Sequence, residues 1–142
     1  MRNKFVIRLM SLIPCILLGL VSYQWFTDPA TTALGFGIDY EAMSNHGQNS
    51  LFRDFTAFFA ASSLFCLFAF FTFRSSWLLA AGLIYLFALG FNVYHVIYLG
   101  GEVQTQLFVE VVLSVWILGT ALLMRSAANS KPVVKEATAD TE

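Results

Sequence analysis

Four long apolar runs, separated by polar connections, set the pattern of the chain: Phe5 to Phe26, Leu51 to Phe73, Trp77 to Tyr98 and Gln106 to Met124. Each is long enough to cross a hydrocarbon core as a helix, which takes about 20 residues for about 30 Å. The runs are continuous and lack the period-two alternation of membrane strands. The pattern therefore predicts an all-α fold, an integral membrane four-helix bundle over residues 1–125. Arg8 and Pro14 interrupt the first run, and the proline predicts a kink there. The basic start Met1-Arg2-Asn3-Lys4 also suits a cleaved signal peptide. The run continues too far for that and ends in Tyr23, Trp25 and Phe26, the aromatic belt of a retained helix.

The connection over residues 27–50 is the one long loop. It opens with helix-start chemistry: Asp28 suits an N-cap, Pro29 the first helical position and Gly35 a stop. A short interfacial helix is expected there, followed by Leu34-Gly35-Phe36-Gly37-Ile38 dipping toward the headgroups. The stretch from Ser44 to Ser50 reads as a polar turn. Residues 126–142 mix Ala, Thr, Lys, Glu and Asp without periodicity and read as a disordered tail.

Basic residues fix the expected orientation. Arg2, Lys4 and Arg8 open the first helix, Arg74 lies between the second and third, and Arg125, Lys131 and Lys135 follow the fourth. By the positive-inside rule these positions face the cytoplasm, which puts both termini there. The other connections carry Asp28, Asp39, Glu41 and Glu102 and belong outside.

Composition agrees with lipid as the solvent: of 142 residues, 58% are hydrophobic and 12% charged. A formal net charge of -1 with no long basic run excludes nucleic acid as a partner. Membrane lipid is the expected surrounding. Cys15 and Cys66 sit in apolar runs without CxxC spacing and read as core fillers.

An ionisable side chain inside a bilayer needs a partner, water or a function. Arg53, Asp54, His95 and Glu110 all fall within roughly 8 Å of the outer interface, given a rise of about 1.5 Å per residue. Asn92 lies one turn below His95 on the same helix face. Three helices thus supply a candidate polar pocket of Arg53, Asp54, Asn92, His95 and Glu110, with one excess negative charge among Arg53, Asp54 and Glu110. A structural alternative stands beside it. Asp54 would complement the N-terminal dipole of the second helix, capped by Ser50, while Arg53 snorkels to headgroups and His95 sits at the interface. Glu110 lies deeper and calls for a polar partner or ligand.

Gln106, Glu110, Ser114 and Ala121 form a small or polar stripe expected to face the bundle interior. Ser11, Cys15, Gly19 and Ser22 form another, suited to close helix approach. The second helix carries nine phenylalanines from Phe52 to Phe73 around its whole circumference. They could wall a flat lipophile, but the simpler reading is surface solvated by lipid. His46 and His95 are the only histidines and make no matched pair for haem. His95 with Glu110 is an incomplete zinc site, so no metal is expected.

The helix ending in aromatics, Pro29 with Leu34-Gly35-Phe36-Gly37, Arg53-Asp54 opening the second helix, His95 closing the third and Glu110 in the fourth resemble the DoxX-like superfamily of small four-helix membrane proteins, in particular a bacterial branch. The resemblance spans roughly residues 5–125 and implies a bacterial inner-membrane location. It carries over Arg53, Asp54 and Glu110. Some members of the superfamily are linked to membrane redox chemistry, which implies quinone as a cofactor; the chain shows no cofactor motif of its own. Three functions follow for testing: a binding or accessory subunit for a lipophile or membrane partner, a quinone-linked oxidoreductase component with His95 and Glu110 handling protons, and a proton-coupled transporter. The transporter reading lacks an inner-half relay beyond Glu110. Four helices in one chain would enclose a pathway only as a homo-oligomer.

Overall fold

The computed structural model describes residues 3–129 and is all-helical there. Five helices follow in order: α1 Lys4–Thr27, α2 Pro29–Gly35, α3 Asn45–Thr72, α4 Ser75–Tyr98 and α5 Thr105–Asn129. Four of them, all except α2, are long and apolar enough to cross a membrane. They form an antiparallel ring in which α1 packs mainly on α3, and α4 on α5, with lighter α3/α4 and α1/α5 contacts closing it.

Small residues let the first pair approach. Ser63 donates to the Cys15 carbonyl at 2.7 Å and Ser22 to the Thr56 carbonyl at 3.0 Å. A methyl on Gly19 would come within 3.1 Å of the Ser63 hydroxyl. In the second pair Gly82 plays the same part, since a Cβ there would meet Leu118 Cδ2 at 2.5 Å. The stripe on α5 faces inward as its spacing predicts, with Ser114 and Ala121 buried. Cys15 and Cys66 are free and buried among these apolar contacts.

Pro14 sits within α1 and carries no N–H, so the Met10 carbonyl loses its usual helical donor. Trp116 of α5 supplies one. Around the remaining surface the large side chains stay exposed, among them Phe5, Leu20, Phe91 and Val115. In water that would be costly; in lipid it is not.

At one end lies the tight α3–α4 turn. Phe73 caps α3 in the left-handed region at φ 53. Its ring receives Lys4 Nζ at 5.9 Å and Arg8 Cζ at 5.4 Å from centroid, which ties the start of α1 to the turn. At the other end α2 packs on α1, and its last residue, Gly35, is bonded by Gln106 of α5. Asp28 accepts from the Thr31 N–H at 3.2 Å as its N-cap, with Pro29 beginning the helix.

The structure corrects two boundaries. The stretch from Ser44 to Ser50 is not a turn: Ser44 is the N-cap, accepting from the Gly47 N–H at 3.3 Å, and α3 begins at Asn45. Ser50 is therefore inside the helix rather than its cap. Gln48 holds this extension to the loop, its amide donating to the Tyr40 carbonyl while Tyr40 donates to the Gln48 carbonyl. At the C-terminal side α5 continues to Asn129, past the point where the tail was expected to start. The rest of that tail, residues 130–142, lies outside the described residues.

Candidate functional site

The ring of helices opens toward the α2 end into a cleft of about 980 Å³. Every helix contributes to it. Leu17, Leu18 and Val21 come from α1, Phe55, Phe58 and Phe59 from α3, Tyr85 and Asn92 from α4, and Val109, Glu110 and Leu113 from α5. Residues 35–38, at the end of α2 and just after it, form part of the rim. Gln106 fixes that rim to α5 by donating to the Gly35 carbonyl at 2.8 Å.

One wall is aromatic, and it is continuous. Trp25 packs on Phe55 at 4.8 Å and on Phe36 at 5.6 Å between ring centroids. Phe36 meets Phe55 edge-on at 5.8 Å, Phe58 meets Phe59 at 5.0 Å, and Phe58 meets Tyr85 at 5.4 Å. Tilted and edge-to-face arrangements of this kind are the favoured geometries of aromatic pairs. Of the eight phenylalanines on α3, the structure turns Phe55, Phe58 and Phe59 to the cleft, while Phe68 and Phe71 are exposed. Sequence reasoning did not single these three out. Phe36, three residues before Asp39 in the loop, was read as a headgroup contact and instead belongs to this wall.

Inside the cleft the polar groups are few. Asn92 donates its amide to Glu110 Oε2 at 3.2 Å, joining α4 to α5. The Tyr85 hydroxyl, alongside Ser62, is buried and makes no hydrogen bond of good geometry. Asp54 lines the cleft, with its carboxylate turned to Arg53: Arg53 Nε donates to Asp54 Oδ1 at 2.8 Å, and both side chains are well exposed.

The expected polar cluster is therefore divided. Asp54, Asn92 and Glu110 line one cleft, and Asn92 with Glu110 are bonded. Arg53 and His95 are not among the lining residues. The Glu110 carboxylate takes its hydrogen bond from Asn92, and Arg53 is spent on its sequence neighbour. His95 is exposed at the end of α4, beside Gly101, whose N–H bonds the His95 carbonyl at 3.2 Å. Among the described residues no three His, Cys, Asp or Glu side chains come together as a metal site would require.

Chemically the cleft is mostly apolar and aromatic, with the bonded Asn92–Glu110 pair inside and Asp54, Gln104, Thr105 and Gln106 as its other polar lining. No nucleophile stands next to a base among these lining residues. Set against protein-family models, curated proteins and solved structures, the chain matches none.

Proposed function

We propose that the chain is a multi-pass membrane protein whose cleft binds a lipophilic small molecule, as a binding or accessory subunit. The observation that carries this reading is the cleft itself: about 980 Å³, walled by Phe36, Phe55, Phe58 and Phe59, with the Asn92–Glu110 pair inside it. Ligand sites are of this kind, mostly apolar with a small number of polar groups that fix orientation. A carboxylate facing such a chamber is the feature that a merely structural bundle would avoid.

The four long apolar helices span the bilayer in this reading, with both termini in the cytoplasm. Charge distribution supports it. Lys4, Arg8, Arg74 and Arg125 gather at the α3–α4 turn, whereas Asp28, Asp39, Glu41 and Glu102 lie in or beside the connections at the α2 end. The cleft then opens at the outer side of a bacterial inner membrane. Membership of the DoxX-like superfamily is part of the same proposal and rests on the motifs quoted above.

Native mass spectrometry of the detergent-purified full chain tests the reading. A bound species of defined mass in the wild type, reduced in Glu110→Gln, is the expected result. A protein that carries nothing in either form, across several preparations, would falsify it.

A further inference from the structure

We infer that the cleft selects a lipophilic organic cation; this rests on the ligand-binding reading above and deepens it. Three observations converge. First, among the residues that line the cleft there is no lysine, arginine or histidine, so nothing there answers an anionic group. Asp54 is neutralised by Arg53 at the rim. Glu110 is left as the one formal charge inside, with a neutral amide as its partner.

Second, the cleft that holds this carboxylate is also lined by five aromatic rings. The faces of Phe36, Phe55, Phe58, Phe59 and Tyr85 carry negative quadrupole potential, and an organic cation placed among several of them is attracted without strong directional demands. Away from water these contacts strengthen. An anion in the same place would face repulsion from the rings and from Glu110 together.

Third, the cleft offers few uncommitted hydrogen-bond donors, and two of them, Gln104 and Thr105, stand at the start of α5 by its opening. The Asn92 amide is given to Glu110 and the Gln106 amide to the Gly35 carbonyl. Among the lining residues the Tyr85 hydroxyl is the buried polar group without a bond of good geometry. A quinone presents carbonyl acceptors and would find few donors here, the Tyr85 hydroxyl being buried beside Ser62. A cation needs charge and rings, which the cleft supplies.

The size of the chamber fits a bulky body around the charge, at the upper end of the roughly 300–1,000 Å³ common for ligand pockets. The predicted occupant is thus a compact organic cation with an apolar exterior, held by Glu110 for its charge and by the aromatic wall for its body.

The test compares two probes of the same shape and opposite charge, tetraphenylphosphonium and tetraphenylborate. Equilibrium binding is measured on the full chain purified in an uncharged detergent. Saturable binding of the phosphonium and none of the borate is expected. Glu110→Gln should weaken phosphonium binding roughly ten-fold or more, the scale of losing one desolvated charge contact. Gln keeps an oxygen for the Asn92 amide, and an unchanged melting profile checks that the variant is folded. Phe58→Leu, which keeps the volume apolar and removes the ring, should weaken the phosphonium as well.

Borate bound as tightly as phosphonium, or phosphonium binding indifferent to Glu110→Gln, overturns the inference while leaving a ligand site. The same holds if native mass spectrometry finds a neutral lipophile or a phospholipid that the phosphonium does not displace. If neither probe binds and nothing is retained on purification, the inference and the reading beneath it both fall.

Discussion

The indole Nε1 of Trp116 donates to the backbone carbonyl of Met10 at 2.9 Å, across the α1/α5 contact. That carbonyl lies four residues before Pro14, whose missing N–H would otherwise have bonded it. A helix break in a bilayer is tolerated when a neighbouring helix re-satisfies the freed backbone group, and here α5 does so.

Trp116→Phe should therefore lower stability by about 1–3 kcal/mol, the cost of leaving a low-dielectric carbonyl without its donor. Introducing Pro14→Ala restores an N–H to position 14, so the same tryptophan replacement should cost less in that background. A double-mutant cycle of melting in detergent reads the coupling; additive effects would show that the two residues act independently.

Two glycines of α4 should respond to alanine with opposite signs. A Cβ at Gly82 meets Leu118 Cδ2 at 2.5 Å and Cγ at 2.7 Å, whereas nothing lies within 4 Å of one at Gly90. Gly82→Ala should destabilise by about 1–3 kcal/mol as α4 and α5 are pushed apart. Gly90→Ala should gain up to about 1 kcal/mol from the lower helix propensity of glycine. Thermal melting of both variants in one detergent decides it.

Asn92→Leu should be more damaging than Glu110→Gln. The leucine leaves the Glu110 carboxylate without its donor in an apolar chamber, at about 1–3 kcal/mol or more. The glutamine retains an acceptor for Asn92 and removes the charge. Melting of the two variants in parallel should place Asn92→Leu lower, and the opposite order would mean that the Asn92–Glu110 bond does not hold α4 to α5.

The proposed orientation is open to a labelling test in whole cells. With Cys15 and Cys66 replaced by alanine, His46→Cys should react with a membrane-impermeant maleimide added outside. Ala128→Cys should react only after permeabilisation. Both positions are exposed, so access depends on the side of the membrane rather than on burial. The reverse pattern would invert the assignment of both termini.

The presence of four long apolar helices was legible in the residues from Phe5 to Met124 because length and continuous apolarity are local properties that no packing partner alters. The same is true of α2, whose start is written in the adjacent pair Asp28-Pro29. The beginning of α3 was hidden. Its first six residues, Asn45 to Ser50, are polar and contain Gly47, and they are helical because Ser44 caps them and Gln48 bonds back to Tyr40. Propensity gave way there to a helix cap and a bond to the preceding loop.

Direction around each helix is what the tertiary structure alone decided. In a bilayer the lipid-facing and core-facing sides are both apolar, so the pattern on α3 could not separate Phe55, Phe58 and Phe59 at the cleft from Phe68 and Phe71 at the exposed surface. Partner choice was equally closed to the sequence. Arg53, Asp54, Asn92, His95 and Glu110 share a depth, and depth follows from counting residues; that Arg53 turns to Asp54, that Asn92 takes Glu110 and that His95 stays outside depends on how α3, α4 and α5 are rotated against one another. Rotation is set by small residues such as Gly82 and by long-range bonds such as Trp116 to Met10, which exist only once the helices have met.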